Sequence, residues 1–451
     1  MGVPGYDRST VRHGRSDTRG KVTSRVNDIF VLGLDDFNRR KLERVDDGQT
    51  YRFHGVLDPH AILEGTEFPI EEMLEQAERE IRGAGTEVDA ILGYVDFPVS
   101  TMVPLLARTF ELPAISLEAL LRCEHKYWSR LVQAEVVPDH VPSFEVFDPF
   151  DDRSVDSIGL AYPYWVKPVR SAGSFLGFRV ESRRQLQYAV EQIRAHIGMF
   201  SDPFGQILER AELPPQLQGV GPAACLAESL IGGHQCTLEG AVQDGTVAFH
   251  GMIDSIRDPG QSSFRRYQYP SQLPDAVQQR MRDIAARVLT HGGFDRSCFN
   301  VEFFWDDNVD QVWLLEINVR IAQHHSDLFE KVDGISNHKA ALDVAMGRSV
   351  DLPHGRGPFG HAACSWLRAH DDGVVERVPS EAEIAALADE IPGLQVELHV
   401  EPGTRLSELS HQDSYSYVLG LFYLGADSPA ELDELDRRCR EALRFEIRSR
   451  P

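Results

Sequence analysis

The sequence predicts a mixed α/β and α+β protein of three parts: a parallel-sheet domain, an antiparallel domain and a hairpin-rich C-terminal subdomain. Three observations carry this reading. Strand-like and helix-like apolar patterns alternate over residues 28–120, the rhythm of parallel strands joined by crossover helices. Over residues 121–350, period-two runs follow one another around short turns, as in "HQCTLEGAVQDGTVAFHGMIDS", which turns at Asp244-Gly245; such runs build antiparallel sheets. Over residues 351–451 the same runs recur after the loop "DLPHGRGPFG" and close on the amphipathic "SPAELDELDRRCREAL". A chain of 451 residues suits about three domains at roughly 150 residues each.

Taken in order, residues 1–27 are rich in Arg, Ser and Gly, lack apolar periodicity and have no signal-like apolar core, so they read as a disordered tail. "DIFVLGL" and "DAILGYV" read as buried strands, "PVSTMVPLLARTF" as a helix, "PAIS" as a short strand and "LEALLRCEHKYWSRLVQAEV" as one long amphipathic helix. The Pro- and Asp-rich "VPDHVPSFEVFDPFDDRS" reads as a connector. In the second domain, "YPYWVKPVRSAGSFLGFRVES" is strand, Gly/Ser turn and strand, and "SRRQLQYAVEQIRAH" is a helix. The strands "ACLAESLI", "CFNVEFFW" and "QVWLLEINV" and the helix "PDAVQQRMRDIAARVLTHG" follow, with a last helix, "SNHKAALDVAMG", stopped by Gly347. The hairpins of the third part are drawn from "AACSWLRAHDDGVVERV", "LQVELHVEPG" and "SYVLGLFYLG".

A formal net charge of -24 argues against general affinity for nucleic acid or anionic membranes, because both are polyanions. Small molecules are the expected partners. Six cysteines without CxxC spacing, and no apolar run near the roughly 20 residues of a membrane span, predict a reduced, cytoplasmic protein. Only six of the 46 basic residues are lysines (21, 41, 126, 167, 331 and 339), so each retained Lys draws notice. Lys331, in the acidic "FEKVDG", reads as exposed.

Three constellations could carry chemistry. In "QVWLLEINVR", Glu316, Asn318 and Arg320 stand at alternate positions and project from one face of a strand. Pairing this strand with "CFNVEFFW", with Asp306 facing Val312, sets Glu302 opposite Glu316 and Asn300 opposite Asn318, while Phe303, Trp305, Trp313 and Leu315 form the core face. The polar face is either an ordinary solvated one or a site for a hard divalent cation, which takes carboxylate and amide oxygens. Secondly, Lys167 precedes the small-residue loop Ser171, Ala172, Gly173, Ser174, which is either a plain turn or a nest of amides for phosphate oxygens. Thirdly, Glu228 ends an apolar strand before a Gly-Gly turn; it is either a strand cap or the rim of a pocket for a flat heterocycle.

In this order, Lys126, "VKP" with its Gly/Ser loop, "AESLIGG", "NVEFFW" and "LLEINVR" resemble the ATP-grasp superfamily of carboxylate-activating ligases, over about Arg122 to Gly347. The tail resembles the C-terminal subdomain of the L-amino-acid ligase and carnosine synthase branch. The resemblance implies ATP and Mg2+ as cofactors. Lys126 and Lys167 would contact phosphates and the loop 171–177 would close over them. Glu228, with the backbone of Ser229 and Ile231, would hold adenine, and Gln235 stands where many relatives carry a Glu for the ribose. Glu302, Glu316 and Asn318 would bind two magnesium ions, and Arg320 would meet the reacting carboxylate. The expected activity is ligation of a small-molecule carboxylate to an amine through an acylphosphate; a homodimer is a guess from the family alone.

Three features depart from the family pattern: Gln235 itself, the bulky Phe175 and Leu176 in the phosphate loop, and "IAQHHSD" where glycines are usual. His324 and His325 therefore stand either as substrate contacts or proton shuttles, or as structure. Two other functions are open on the sequence: a bicarbonate-activating carboxylase of the biotin carboxylase type, and a nucleotide-binding protein without catalysis.

Overall fold

The computed structural model describes residues 25–449 apart from 64, 66, 172–174, 259–262 and 410–415. Ala172, Gly173 and Ser174 of the Gly/Ser loop and residues 1–24 of the predicted tail lie outside the described residues. The first strand, Val26–Leu32, begins within the segment read as a tail. Ile29 and Val31 face one side and Phe30 and Leu32 the other, all buried, as in the central strand of a parallel sheet covered on both faces. Thr50–Val56 and Ala90–Leu92 flank it in parallel. Thr50–Val56 escaped the apolar pattern because "TYRFHGV" is a half-exposed edge strand.

Two expected elements of this region differ. "PAIS" forms no strand; a cleft lined by Ile91, Ile115, Val319 and Ala341 among others lies beside it. The single long helix is two, Leu117–Glu124 and Lys126–Val136. His125 causes the break. Its backbone is extended (φ -79°, ψ 99°), its N–H closes the first helix on the Leu121 carbonyl (2.9 Å), and its Nδ1 accepts from the Trp128 N–H (3.3 Å), capping the second. Lys126 thereby stands at a helix N-terminus instead of mid-helix.

A four-stranded antiparallel sheet follows, in the order Phe144–Phe147, Cys225–Ser229, Tyr164–Pro168, Phe178–Val180. Its first strand lies inside the segment expected to be only a connector. Helix Arg183–His196 covers one face with Leu186, Ala189, Val190 and Ile193. Leu176 is buried in the same core, and the Phe175 ring lies 5.6 Å from that of Phe200. The bulky residues of the loop therefore anchor its C-terminal end by burial.

The largest element is an eight-stranded sheet, in the order Gln311–Asn318, Ser297–Asp306, His234–Gln243, Thr246–Arg257, Phe264–Tyr269, His361–Ala369, Tyr417–Ala426, Gln395–Leu398. Asp244 and Gly245 turn its long hairpin with φ of 49° and 75°, a conformation that suits Asp-Gly. The C-terminal runs were expected to form hairpins of their own. Instead three of them extend this sheet, His361–Ala369 pairing with Phe264–Tyr269 and Tyr417–Ala426, while Gly373–Arg377 pairs with Glu446–Ser449.

Helix Gln323–Asp333 packs Leu328, Phe329 and Val332 against Ile253, Tyr269 and Cys364 of the sheet. This helix also corrects the expectation for Lys331, which is 6% exposed and ion-paired to Asp327 at 2.6 Å; Lys41 reaches the same carboxylate at 2.7 Å. Among the described residues, no helix is long and apolar enough to cross a membrane.

Candidate active site

The strands Ser297–Asp306 and Gln311–Asn318 form the expected hairpin, with Glu302 opposite Glu316 and Asn300 opposite Asn318. Its loop end differs by one residue, because Asp306 faces Gln311 and not Val312, and a bulge next to Glu302 takes up the difference. A bulge exchanges the faces of the strand beyond it. Val312 and Leu314 are therefore in the core beside Phe303, where Trp313 and Leu315 were expected, and Trp305 is only partly buried. Leu315 lines a small pocket in front of the hairpin.

Burial raises the Glu302 carboxyl to about 7, and the facing Glu316 adds to the effect against the opposing pull of Arg320 and Arg257. Burial pushes Glu316 the same way, but Lys126, 3.6 Å away, and Lys167 outweigh it and hold this carboxyl below its ordinary value. Asn318 donates to Glu302 and to Asn300, both at 3.3 Å. Gln235 donates to Glu302 at 2.9 Å, so its amide is turned toward the carboxylate pair. Two facing carboxylates and an amide form a donor set that a hard divalent cation would relieve of its mutual repulsion. Among the described residues no three His, Cys, Asp or Glu side chains cluster as a metal site.

Lys126, Arg130, Lys167 and Glu228 line a small pocket together with Leu315 and Glu316 of the hairpin. The Lys126 ammonium donates to the carbonyl of Ser171, at the base of the Gly/Ser loop (3.1 Å). Glu228 is not open to a ligand through its side chain: Arg130 Nε donates to one oxygen at 2.5 Å and Lys167 Nζ lies 2.6 Å from the other. The Ser229 N–H is likewise engaged, by the Ser143 carbonyl at 2.9 Å. Ile231 lies two residues beyond the end of this strand.

Burial alone would raise the Glu228 carboxyl, but Arg130 and then Lys167 overcome it and hold the group at about 2. A carboxyl depressed in the folded state contributes stability that is complete above its unfolded value of 4.5 and is lost as pH falls through about 2. The stability gap between wild type and Glu228→Gln, measured by urea unfolding, is accordingly expected to shrink by on the order of 3 kcal/mol between about pH 6 and about pH 2. A gap that does not change with pH would show that Glu228 is not ionised between its two cations.

At the far end of the hairpin, Arg320 Nη2 lies 3.2 Å from Asp96, and Arg320 Nη1 makes a long contact to the Ile321 carbonyl (3.4 Å). The two histidines part company. His325 is buried and bonds through Nδ1 to Glu239 (2.5 Å), which also accepts from Asn300, Asn337 and the Ala322 N–H; its place is structural. His324 is exposed, edge-on to Trp366 at 5.6 Å.

Arg130, Asp96, Arg170, Glu124 and Arg257 escaped the sequence reading. Arg130 had a signal, since it stands four residues after Lys126 on one helix and shares its face. Asp96 also had one, lying in the loop that follows a parallel strand, where such sheets build their sites. Arg170 and Glu124 are buried ions whose partners come from distant segments, a pairing that spacing does not reveal.

A parallel three-stranded unit, a small antiparallel sheet and a large sheet that carries aligned polar groups on its edge hairpin together make the ATP-grasp fold. Residues 268–352 match the family model described as carbamoyl-phosphate synthase L chain, ATP binding domain. The chain is 31% identical over 163 residues to a D-alanine--D-alanine ligase of Synechococcus sp. (strain CC9605), covering 35% of this chain and 40% of that one. It is 33% identical over 79 residues to the carbamoyl phosphate synthase large chain of Kocuria rhizophila, covering 18% and 7%. It thus spans less than half the length of these curated relatives. Among solved structures, the L-amino acid ligase from Bacillus licheniformis aligns over 94% of this chain and 99% of its own, with a TM-score of 0.68 and 16% identity. The biotin carboxylase from Campylobacter jejuni, solved as a β,γ-ATP complex, aligns over 93% and 92%, with a TM-score of 0.62 and 14% identity. At such identities the likeness is one of fold.

Proposed function

We propose that the protein is an ATP-dependent carboxylate-amine ligase that forms an amide or peptide bond between amino acids or small carboxylic acids and amines in the cytoplasm. The observation that carries this reading is the alignment of Glu302, Glu316, Asn318 and Arg320 along one hairpin, facing Lys126 and Lys167 across the cleft. Glu302, Glu316 and Asn318 would hold magnesium, which supplies charge neutralisation for the phosphates of ATP. Lys126 and Lys167 would add point charges to those phosphates, and the segment after Glu228, at Ile231, would border adenine. Glu228, itself held by Arg130, keeps Lys167 in place rather than touching the base.

A carboxylate is a poor electrophile, so its oxygen must first take the γ-phosphoryl group, with ADP leaving. Arg320 offers a planar fork to the carboxylate oxygens during that transfer. The amine nitrogen then bonds to the acyl carbon, the bond from carbon to the phosphate oxygen breaks, and phosphate and a proton depart. No nucleophile from the chain is required.

A phosphate-release screen with magnesium, ATP and pairs of amino acids tests the proposal. Release that needs both an acid and an amine is expected. Release that needs bicarbonate instead would assign a carboxylase, and ATP binding without release under any pairing would leave a nucleotide-binding protein. Within the same assay, Lys167→Met is expected to weaken ATP binding by roughly tenfold or more, as for loss of a charge-assisted contact. Lys331→Met should leave ATP affinity unchanged and lower the melting temperature, because Lys331 is a buried partner of Asp327. Equal ATP affinities in the two variants, measured by titration calorimetry, would remove Lys167 from the site.

A further inference from the structure

Arg320 is gripped from outside its own sheet. Asp96 lies in the loop between the strand Ala90–Leu92 and the helix Val99–Thr109 of the N-terminal unit. One of its oxygens is 3.2 Å from Arg320 Nη2; the other is 2.5 Å from Arg170 Nη2 and accepts the Phe97 N–H at 2.8 Å. Arg170 follows the strand Tyr164–Pro168 and is itself buried. It stacks over the Phe97 ring at 5.2 Å and pairs with Glu124 at 3.1 Å, and Glu124 in turn accepts from Ser100 at 3.0 Å. Asp96 is thus fixed on one side by a buried arginine and its own backbone, and spends its other oxygen on the arginine at the end of the hairpin.

We infer that Asp96 is a positioning residue for Arg320, and this rests on the ligase reading of that arginine. A guanidinium on a long side chain gains from being held before the substrate arrives, because small misplacement of a catalytic group lowers the rate steeply. Asp96 holds the fork through Nη2, while Nη1 makes only the long contact to the carbonyl of the adjacent Ile321 (3.4 Å). The buttress reaches back through Arg170, Glu124 and Ser100, so the N-terminal unit and the small sheet both set where the arginine of the large sheet stands. Three parts of the chain converge on one side chain. Asp96 acts through Arg320 and makes no demand on ATP.

A double-mutant cycle on the full chain tests this, using the acid and amine pair found in the screen. Asp96→Asn keeps the shape of the side chain and is expected to lower kcat/KM for the acid by roughly tenfold or more, with KM for ATP unchanged within about twofold. Added to Arg320→Lys, it should cost nothing further, because the group it positions is already lost. Asp96→Glu should recover part of the activity. Additive losses, or a KM for ATP that moves as much as that for the acid, would assign Asp96 to general structure and overturn the inference.

A second measurement stands apart from turnover. Phenylglyoxal labelling followed by peptide mapping should modify Arg320 several-fold faster in Asp96→Asn than in wild type, with the exposed Arg184 as internal reference. Equal labelling rates would overturn the inference even in an active enzyme. Faster labelling in a protein that releases no phosphate would instead count against the ligase reading and leave the positioning contact intact.

Discussion

Glu316→Ala is expected to abolish magnesium-dependent ATP turnover, by more than about 100-fold, while the chain stays folded. The carboxylate is one of two that face each other across the hairpin, and the other, Glu302, is already pushed up to about 7 first by burial and then by Glu316. Removing Glu316 therefore relieves a repulsion in the metal-free protein. Its ion pair with Lys126 is long, at 3.6 Å, and its side chain is one-third exposed, so little stability is lost with it. The melting temperature without magnesium should change little, because the repulsion relieved at Glu302 is offset by the lost attraction of Lys126 and Lys167, and the added stability that magnesium and ATP confer on wild type should vanish. Calorimetric melting with and without magnesium, together with ADP release, reads both effects. Wild-type ADP release from this variant would sink the metal assignment.

Arg320→Lys should reduce amide formation by on the order of 100-fold or more, with nucleotide affinity little changed. Lysine keeps the charge but offers a single point in place of a planar fork. The competing structural account needs a carboxylate that pairs with Arg320 and depends on it. Asp327 cannot serve, since Lys41 and Lys331 already hold it. Asp96 is the partner, and it keeps Arg170 when Arg320 is shortened, so the melting temperature should fall only slightly. Product formation, ATP binding and melting on one sample separate the accounts. Normal turnover with a much lower melting temperature would assign Arg320 to structure and leave the ligase proposal without its substrate anchor.

The carboxylate pair was legible because strand alternation and hairpin register are local: Glu302 and Glu316 met where period two placed them. The same reasoning misplaced Trp313 and Leu315, since a bulge at Leu315 leaves no mark when the run from Val312 to Leu315 is apolar throughout. The break at His125 was hidden for a similar reason. The apolar stripe continues through it, and only a ring nitrogen capping Trp128 ends one helix and starts the next. Lys331 was misjudged because its neighbours are acidic, which marks an exposed segment only when the acids face water; here Asp327 is buried against two lysines. The ion pairs of Glu228 could not be read from the sequence, since its partners Arg130 and Lys167 come from different elements.

The continuity of the large sheet bears on how such a protein can be altered. The strand Phe264–Tyr269 has His361–Ala369 as its outer neighbour, so the last hundred residues supply hydrogen-bond partners to the same lattice that bears the carboxylate pair at its opposite margin. Cutting the chain near residue 350 would leave a naked strand edge, with a row of donors and acceptors open to any other chain. Exchanging this segment between relatives is likewise no transplant of an appendage. The graft must reproduce a register, residue by residue, with a strand it did not evolve beside.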